Sequence, residues 1–118
     1  MKIPFMKAQG AGNDFIILDK NVDFVRKSKK VIRRLCDRRF GVGCDQLILL
    51  KKISSYYQVT FYNSDGSLGK NCGNGLRCAY KFLVEVKKVK KAVIKTHKFL
   101  HFGRKTQKEY KINVGEVT

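Results

Sequence analysis

The chain has 118 residues and a formal net charge of +17, with 43% apolar and 30% charged side chains. This length suits one domain with its own core and is short for two, and the apolar content is that of a globular protein rather than a disordered one. The longest apolar runs are far below the roughly 20 residues that a membrane-spanning helix needs. The first residues lack the apolar core of a signal peptide. We therefore expect one cytoplasmic domain without a membrane partner.

The positive charge raises the question of nucleic acid as a partner. The 26 Lys and Arg residues are spread along the chain, and no helix-turn-helix or aromatic RNA-binding signature accompanies them. A lysine-rich, solvated surface accounts for the charge without such a partner. Nucleic acid is therefore not the expected partner, although a basic nucleic-acid-binding domain stays open as the less favoured alternative.

Four cysteines bear on the compartment and on metal binding. They are Cys36, Cys44, Cys72 and Cys78. In a reducing compartment we expect free thiols rather than a disulfide framework. Their spacing contains no C-x2-C pair, and neither histidine lies at zinc-finger spacing from them. The sequence therefore predicts no metal site.

The N-terminal part predicts two strands, one helix and a loop. Residues 3–9 and 14–20 predict strands, and Gly10–Asp14 between them predicts a turn that uses the conformational freedom of glycine. Apolar residues then recur at helical spacing and predict a helix over 24–37. The following residues, 37–43, contain two glycines and predict a loop.

The rest of the chain predicts more strands and a second helix. Residues 46–52 and 56–63 predict strands, and 64–67 predict a turn. A helix is predicted to begin near Asn74 and to include Leu76–Leu83. Further strands are predicted at 92–96, 99–102 and 109–114. Together these elements predict an α+β domain with a mostly antiparallel sheet.

The segment Cys72-Gly73-Asn74-Gly75 has the composition of a reactive site. A free thiol has a pKa of about 8.5, and a helix N-terminus lowers that value, because its first N–H groups are unpaired and its dipole is positive. The flanking glycines let backbone N–H groups approach an anion such as a carboxylate. This combination suits removal of a proton next to a carboxylate. Taken alone, the segment fits equally well a cysteine that only fills space at a glycine turn.

Four segments in the same order resemble the signatures of the diaminopimelate epimerase family. They are Gly12–Phe15, Leu35–Gln46, Phe61–Ser67 and Cys72–Cys78. Proline racemases and phenazine-biosynthesis isomerases share the fold of this family. The Asn in Cys-Gly-Asn-Gly and the Gly-Asn-Asp-Phe segment favour the epimerases. The resemblance runs from about Phe5 to Leu83 and fades after that.

The resemblance implies a fold and a chemistry. The fold is a mostly antiparallel sheet wrapped around a central helix that starts near Asn74. The activity is that of an isomerase that interconverts LL- and meso-diaminopimelate in lysine and peptidoglycan biosynthesis, with no pyridoxal phosphate, other cofactor or metal. Cys72 matches one of two cysteines that work as an acid–base pair on the α-proton. The positions that match the family's substrate-binding residues are Asn13, Gln46, Asn63, Gly73 and Asn74.

Other candidate residues receive structural interpretations. Cys36 and Cys78 are expected to pack on helices, and Cys44 needs no catalytic role. Polar side chains of two loops are expected to fix those loops, namely Asp37, Arg38, Arg39 and Asp65. His97 and His101 are expected on the surface.

The family's proteins carry two similar domains, and the second domain supplies the partner cysteine. None of Cys36, Cys44 and Cys78 has the glycine-rich context of Cys72. We therefore expect residues 1–118 to form a single N-terminal epimerase domain without the family's C-terminal domain. Its expected partners are diaminopimelate and a C-terminal domain or second chain, with a homodimer as one possibility. A truncated remnant that binds but does not turn over stays open as the alternative.

Overall fold

A computed structural model describes residues 3–10, 12–70, 73–96, 100–105 and 110–112. Within these ranges the chain forms seven strands and three helices. The strands are β1 (Met6–Gly10), β2 (Asn13–Leu18), β3 (Gln46–Ile53), β4 (Tyr56–Asn63), β5 (Lys91–Lys95), β6 (Leu100–Lys105) and β7 (Tyr110–Ile112). The helices are α1 (Val22–Arg26), α2 (Lys29–Cys36) and α3 (Gly73–Glu85).

The seven described strands form one sheet whose spatial order is the order along the chain. The pairs β1/β2, β3/β4, β5/β6 and β6/β7 are antiparallel, whereas β2/β3 and β4/β5 are parallel. Parallel neighbours need a crossover connection, and here α1 and α2 connect β2 to β3 while α3 connects β4 to β5. The predicted α+β class with a mostly antiparallel sheet is confirmed.

The central strands β2 and β3 are covered on both faces. Phe15–Leu18 are at most 1% exposed and Leu47–Leu50 at most 2% exposed, as continuous apolar runs in doubly covered strands are. Phe15 and Ile17 belong to the core that contains α3, whereas Ile16 belongs to the core that contains α1 and α2. The sheet therefore separates two apolar cores.

Helix α3 is the central helix of the larger core. Eight of its residues are buried, and Leu76, Ala79, Tyr80 and Leu83 have no exposed surface. A helix that is apolar over most of its circumference needs cover on most sides, and the curled sheet provides it. The predicted central helix is confirmed, and it begins at Gly73, one residue before its predicted start. No helix among the described residues is long and apolar enough to cross a membrane.

The single helix predicted over 24–37 was wrong. The structure has two short helices there, α1 and α2, with a break at Ser28. Ser28 is extended, with φ −129° and ψ 100°, and its hydroxyl accepts a hydrogen bond of 3.2 Å from the N–H of Val31. A serine that caps the next helix in this way ends the preceding one, because the cap needs a non-helical backbone.

Several element ends also differ from their predictions. β1 begins at Met6 rather than at residue 3, and β2 ends at Leu18 rather than at 20. Gly10 and Asn13 pair across β1 and β2, so the connection is shorter than the predicted five-residue turn. The strand predicted at 109–114 is described only as β7.

His101 is buried, which contradicts its predicted surface position. It lies on β6 with no exposed surface, and its Nε2 lies 3.4 Å from Oγ1 of Thr96. The neighbouring Phe102 is 57% exposed on the opposite face. Side chains of a strand alternate between faces, and this register turns the polar residue inward and the aromatic one outward. His97 lies outside the described residues.

Candidate active site

Three predicted substrate-binding residues lie at one edge of the sheet. Asn13 begins β2, Gln46 begins β3 and Asn63 ends β4. β2 and β3 are parallel, with Phe15 opposite Gln46, and Gln46 in turn pairs with Asn63 on the antiparallel β4. The starts of two strands and the end of a third therefore meet at this edge.

The same three side chains share one face of the sheet. Residues two positions further into the three strands belong to the core around α3; they are Phe15, Ile48 and Phe61. Because residues i and i+2 of a strand point to the same face, Asn13, Gln46 and Asn63 point to the α3 side. The edge thus presents three carboxamide groups on one face.

Gln46 and Asn63 are hydrogen-bonded to each other, and Gly69 lies close to both side chains. Nε2 of Gln46 donates to Oδ1 of Asn63 at 3.4 Å, and Nδ2 of Asn63 donates to Oγ of Ser67 at 3.0 Å. The N–H of Gly69 donates to the carbonyl of Phe61 at 2.7 Å. A Cβ on Gly69 would lie 2.9 Å from Nε2 of Gln46 and 3.1 Å from Oδ1 of Asn63. A side chain at position 69 would therefore displace both amides.

The first turn of α3 lies over this edge. A Cβ on Gly75 would lie 2.6 Å from the ring of Phe61 and 3.3 Å from that of Phe15, so the helix backbone rests on both rings. On the other side, a Cβ on Gly10 would lie 3.6 Å from Cβ of Asn74. The first N–H groups of a helix lack intrahelical partners and carry positive partial charge. The structure therefore places Asn13, Gln46 and Asn63 on the side of the sheet that faces α3, whose first turn contains Gly73 and Asn74. Cys72 lies outside the described residues.

Asp14, Arg38 and Asp45 form a clamp that holds the edge. Nη1 of Arg38 donates to Oδ2 of Asp14 at 2.9 Å, and Nη2 donates to Oδ1 of Asp14 at 2.8 Å and to Oδ1 of Asp45 at 3.0 Å. The N–H of Asp14 donates to Oδ2 of Asp45, and the N–H of Asp45 donates to Oδ1 of Asp14, both at 2.9 Å. Asp14 follows Asn13 and Asp45 precedes Gln46 in the sequence. The clamp therefore fixes the backbone beside two predicted substrate-binding residues.

Lys7 completes the clamp from β1. Its Nζ donates to Oδ2 of Asp14 at 2.8 Å and also contacts the carbonyl of Gly43. Hydrogen bonds from Arg38 and then Lys7 hold the pKa of Asp14 well below its ordinary value. Asp14 stays ionised down to strongly acidic pH. Arg38 was predicted to fix its loop, but nothing in the sequence linked it to Asp14 or to Lys7.

The carboxylates of Asp37 and Asp65 behave as predicted. Oδ1 of Asp37 accepts from the N–H groups of Arg39 and Phe40, and Oδ1 of Asp65 accepts from the N–H and the hydroxyl of Ser67. These bonds hold the two carboxylates within their own loops, and the Ser67 hydroxyl also accepts a hydrogen bond from Nδ2 of Asn63. The structural interpretation of both is confirmed.

The remaining described cysteines are buried. Cys36 and Cys44 are each 2% exposed in the core under α1 and α2, and Cys78 is 7% exposed in the core around α3. The packing role predicted for Cys36 and Cys78 is confirmed. Within the described part of the chain, no group of three or more His, Cys, Asp or Glu side chains is placed to hold a metal ion.

Two depressions flank the described residues of the sheet. The smaller, about 480 Å³, is lined by Gln9, Gly10, Gly12, Asn13 and the clamp residues Asp14, Arg38 and Asp45. The larger, about 830 Å³, lies between α1 and β4 and has no lining contribution from Asn13, Gln46, Asn63, Gly73 or Asn74. The candidate site is assigned to the edge of the sheet that carries Asn13, Gln46 and Asn63 rather than to the larger depression. A binding site needs convergent polar groups as well as volume.

Comparison with known protein families shows which family the chain belongs to. Residues 5–114 match the family model described as diaminopimelate epimerase. The chain belongs to the diaminopimelate epimerase family. Its membership agrees with the order of the four sequence motifs and with the carboxamide edge under α3.

Individual relatives show what share of a diaminopimelate epimerase this chain covers. The chain is 42% identical over 101 residues to a diaminopimelate epimerase of Leptospira biflexa, covering 83% of this chain and 36% of that protein. It is 43% identical over 86 residues to one of Alkalilimnicola ehrlichii, covering 70% and 31%. The chain therefore spans about a third of the length of the curated relatives it matches.

Solved structures share the fold at low sequence identity. A phenazine biosynthesis PhzF family protein of Enterococcus faecalis superposes with a TM-score of 0.68 at 13% identity, over 93% of this chain and 43% of that one. A methylitaconate-delta-isomerase superposes with a TM-score of 0.68 at 20% identity, over 94% and 36%. These likenesses establish the fold that the sequence resemblance implied.

Proposed function

We propose that this chain is the N-terminal half of a cytoplasmic diaminopimelate epimerase that interconverts LL- and meso-diaminopimelate in lysine and peptidoglycan biosynthesis. The observation that carries the proposal is the convergence of Asn13, Gln46 and Asn63 under the first turn of α3, in a chain of the diaminopimelate epimerase family. Because the chain spans about a third of its relatives, turnover is proposed to need a C-terminal domain or a second chain.

The substrate's carboxylate is proposed to bind at the start of α3. The N–H groups of Gly73 and Asn74 belong to the first turn of the helix, where unpaired donors and the helix dipole favour an anion. The amides of Asn13, Gln46 and Asn63 donate and accept hydrogen bonds, which suits the zwitterionic amino-acid group next to the α-carbon. Binding and orientation of that group are thus assigned to the described residues.

Cys72 is proposed to be the acid–base group of this half. It directly precedes Gly73 in the sequence, and a thiolate is favoured next to a helix N-terminus. One thiolate removes the α-proton, and a thiol from the second domain delivers a proton to the opposite face. The reaction is proposed to use no pyridoxal phosphate or metal, so oriented dipoles in a closed site must stabilise the carbanion.

The test follows exchange and inversion separately. LL-diaminopimelate is incubated in D₂O with the 118-residue chain, and deuterium at the α-carbon and formation of the meso isomer are measured. The chain alone is expected to give little inversion, because one thiol serves only one face. Addition of the C-terminal domain of the Leptospira biflexa relative is expected to raise meso formation.

Cysteine variants identify the base. In the two-domain mixture, Cys72→Ala is expected to lower the rate about 100-fold or more, as loss of a positioned acid–base group does. Cys78→Ala, which removes a buried thiol of α3, is the matched control and is expected to keep most activity. Equal activity of Cys72→Ala and the unchanged chain would overturn the assignment of the base. Binding of diaminopimelate without exchange or turnover in any mixture would instead support the alternative that the chain is a truncated remnant that only binds.

A further inference from the structure

Cys36 and Cys44 lie in direct contact beneath the loop that connects α2 to β3. Their Sγ atoms are 3.4 Å apart, and the N–H of Cys44 donates to the carbonyl of Cys36 at 3.2 Å. We propose that the two form a redox-active dithiol, a modification site at which a hydroperoxide joins the sulfurs into a disulfide within the folded domain. The proposed epimerase chemistry uses neither residue, so this inference stands independently of it.

The contact geometry is close to that of a disulfide. A disulfide has an S–S bond of about 2.0 Å between residues whose Cα atoms are a few ångströms apart. The backbone hydrogen bond already holds the two residues together. The loop between them is pinned as well, because the N–H groups of Val42 and Gly43 donate to the carbonyl of Leu35 at 3.1 and 2.9 Å. The two sulfurs therefore lie in contact on a loop whose backbone is already held by hydrogen bonds.

The two thiols are not equivalent. The S–H of Cys44 donates to the sulfur of Cys36, which lowers the pKa of Cys36, and the charge of Lys7 adds to this effect. The same hydrogen bond, together with burial, raises the pKa of Cys44. Thiolate is the reactive form of cysteine, so Cys36 is the attacking sulfur and Cys44 the one that resolves the intermediate.

The reaction balances in two steps. The Cys36 thiolate attacks one oxygen of hydrogen peroxide, the O–O bond breaks, and Cys36 becomes a sulfenic acid. The hydroxide that leaves takes up the proton released when Cys36 ionised and becomes water. The Cys44 sulfur then attacks the Cys36 sulfur, the S–O bond breaks, and the hydroxyl leaves as water with the Cys44 proton. The two sulfurs lose two electrons in total, and one peroxide becomes two waters. A dithiol reductant reverses the change by thiol–disulfide exchange.

The fold makes the pair both selective and reachable. The third described cysteine, Cys78, lies in the core on the opposite side of the sheet, so it cannot meet either sulfur in the folded chain. The pair itself is 2% exposed at each residue, but the residues that follow Cys36, 37–41, are all exposed. Because the loop next to the buried pair is exposed, we expect a small peroxide to reach the sulfurs more readily than a bulky disulfide reagent does.

The experiment treats the purified 118-residue chain carrying Cys72→Ser, which removes the other proposed thiolate, with equimolar hydrogen peroxide at neutral pH. Denaturation, alkylation and peptide mapping by mass spectrometry follow. The expected product is a Cys36–Cys44 linked peptide in a chain two hydrogen atoms lighter, reversed by dithiothreitol, with Cys78 still alkylated. Pre-unfolding in urea is expected to slow formation of this link about tenfold, because the second step loses its enforced proximity.

Variants separate the two roles. Cys44→Ser is expected to leave Cys36 as a sulfenic acid without a linked peptide, and a second equivalent of peroxide is expected to carry it to sulfinic acid. Cys78→Ser is expected to leave the link unchanged. Circular dichroism checks that each variant is folded, and Cys44→Ala replaces the serine variant if it is not. Equal rates of link formation in folded and urea-unfolded chains, or oxidation of Cys78 while Cys36 and Cys44 stay reduced, would overturn the proposal.

Discussion

Arg38 donates from both terminal nitrogens to the two oxygens of Asp14, at 2.9 and 2.8 Å, across 24 positions of sequence. This bidentate pair joins the loop after α2 to the start of β2. Paired hydrogen bonds of this kind fix direction as well as distance. The position of the backbone next to Asn13 therefore depends on a residue far away in the sequence.

Arg38→Ala is expected to lower the free energy of unfolding, because the bidentate pair and the bond to Asp45 are lost together. The side chain of Asp14 is only 15% exposed, so it loses its main partner without full access to water. Arg26→Ala is the control, because Arg26 and Asp23 are both more than half exposed, and it is expected to change stability little. Urea unfolding measures both, and equal effects would contradict the clamp's role.

Asp14→Asn is expected to make the free energy of unfolding less dependent on pH in acid. The folded pKa of Asp14 lies well below its ordinary value, and an unfolded Asp has a pKa of about 3.9. The stabilisation is therefore fully present above about pH 4 and is lost as the pH falls towards the folded pKa. Urea unfolding at several pH values below about 5 measures this. Parallel curves for the two proteins would count against an ionised Asp14 that stabilises the fold.

Gly75→Ala is expected to destabilise the domain by about 1–3 kcal/mol, as overpacking of a core does. The new Cβ would lie 2.6 Å from the ring of Phe61, and this clash outweighs the better helix propensity of alanine, about 1 kcal/mol. Gly12→Ala is a comparison with open space around its Cβ but a φ of +89°, and its cost is strain alone. Thermal unfolding ranks the two, and a stabilised Gly75→Ala would show that α3 does not rest on Phe61.

Tyr80→Phe is expected to cost about 1 kcal/mol, the typical net value of a buried hydrogen bond. The ring of Tyr80 is fully buried, and its hydroxyl donates to the carbonyl of Lys90 at 2.8 Å. The substitution keeps the ring and removes the hydroxyl that joins α3 to the segment before β5. Tyr57→Phe on β4 is the control, with an expected change near zero. A comparable loss in both would show that the Lys90 contact is not specific.

Cys72 is expected to alkylate faster than the other three cysteines near neutral pH. A thiol beside a helix N-terminus is more ionised, while Cys36, Cys44 and Cys78 are at most 7% exposed. Limited iodoacetamide labelling with peptide mapping gives the order. A high-salt series is expected to reduce the part of the preference that comes from the chain's overall charge. If Cys72 labels no faster than the buried three, the thiolate assignment loses its physical basis.

Sequence patterns predicted the secondary structure best for elements that are almost completely buried. The runs Phe15–Leu18 and Leu47–Leu50 identified β2 and β3, because strands covered on both faces are continuously apolar. The residues Leu76–Leu83 predicted the helix α3, and the family resemblance implied its central position. Gln46 and Asn63 came from the family resemblance, and the structure brings their side chains to 3.4 Å.

Other features depend on contacts that no local pattern contains. The break at Ser28 was missed because the helical spacing of apolar residues continues through it. A serine that caps a helix changes the backbone conformation and leaves the pattern of apolar and polar residues unchanged. His101 was misplaced because Leu100–Phe102 allows either strand register, and only packing against Tyr80 and its neighbours selects one. The pairing of Arg38 with Asp14 likewise required the parallel arrangement of β2 and β3.

The identity of spatial and sequential strand order has a consequence for how the chain folds as it is made. Each described strand pairs with the strand that precedes it, so every pairing becomes available as soon as the later strand has been synthesised. No early strand has to wait beside an empty edge for a partner from the far end of the chain. Contacts between sequence neighbours carry a small loop-closure cost and favour rapid folding. This sheet is therefore suited to assembly in the direction of translation, with β1 and β2 as its first completed pair.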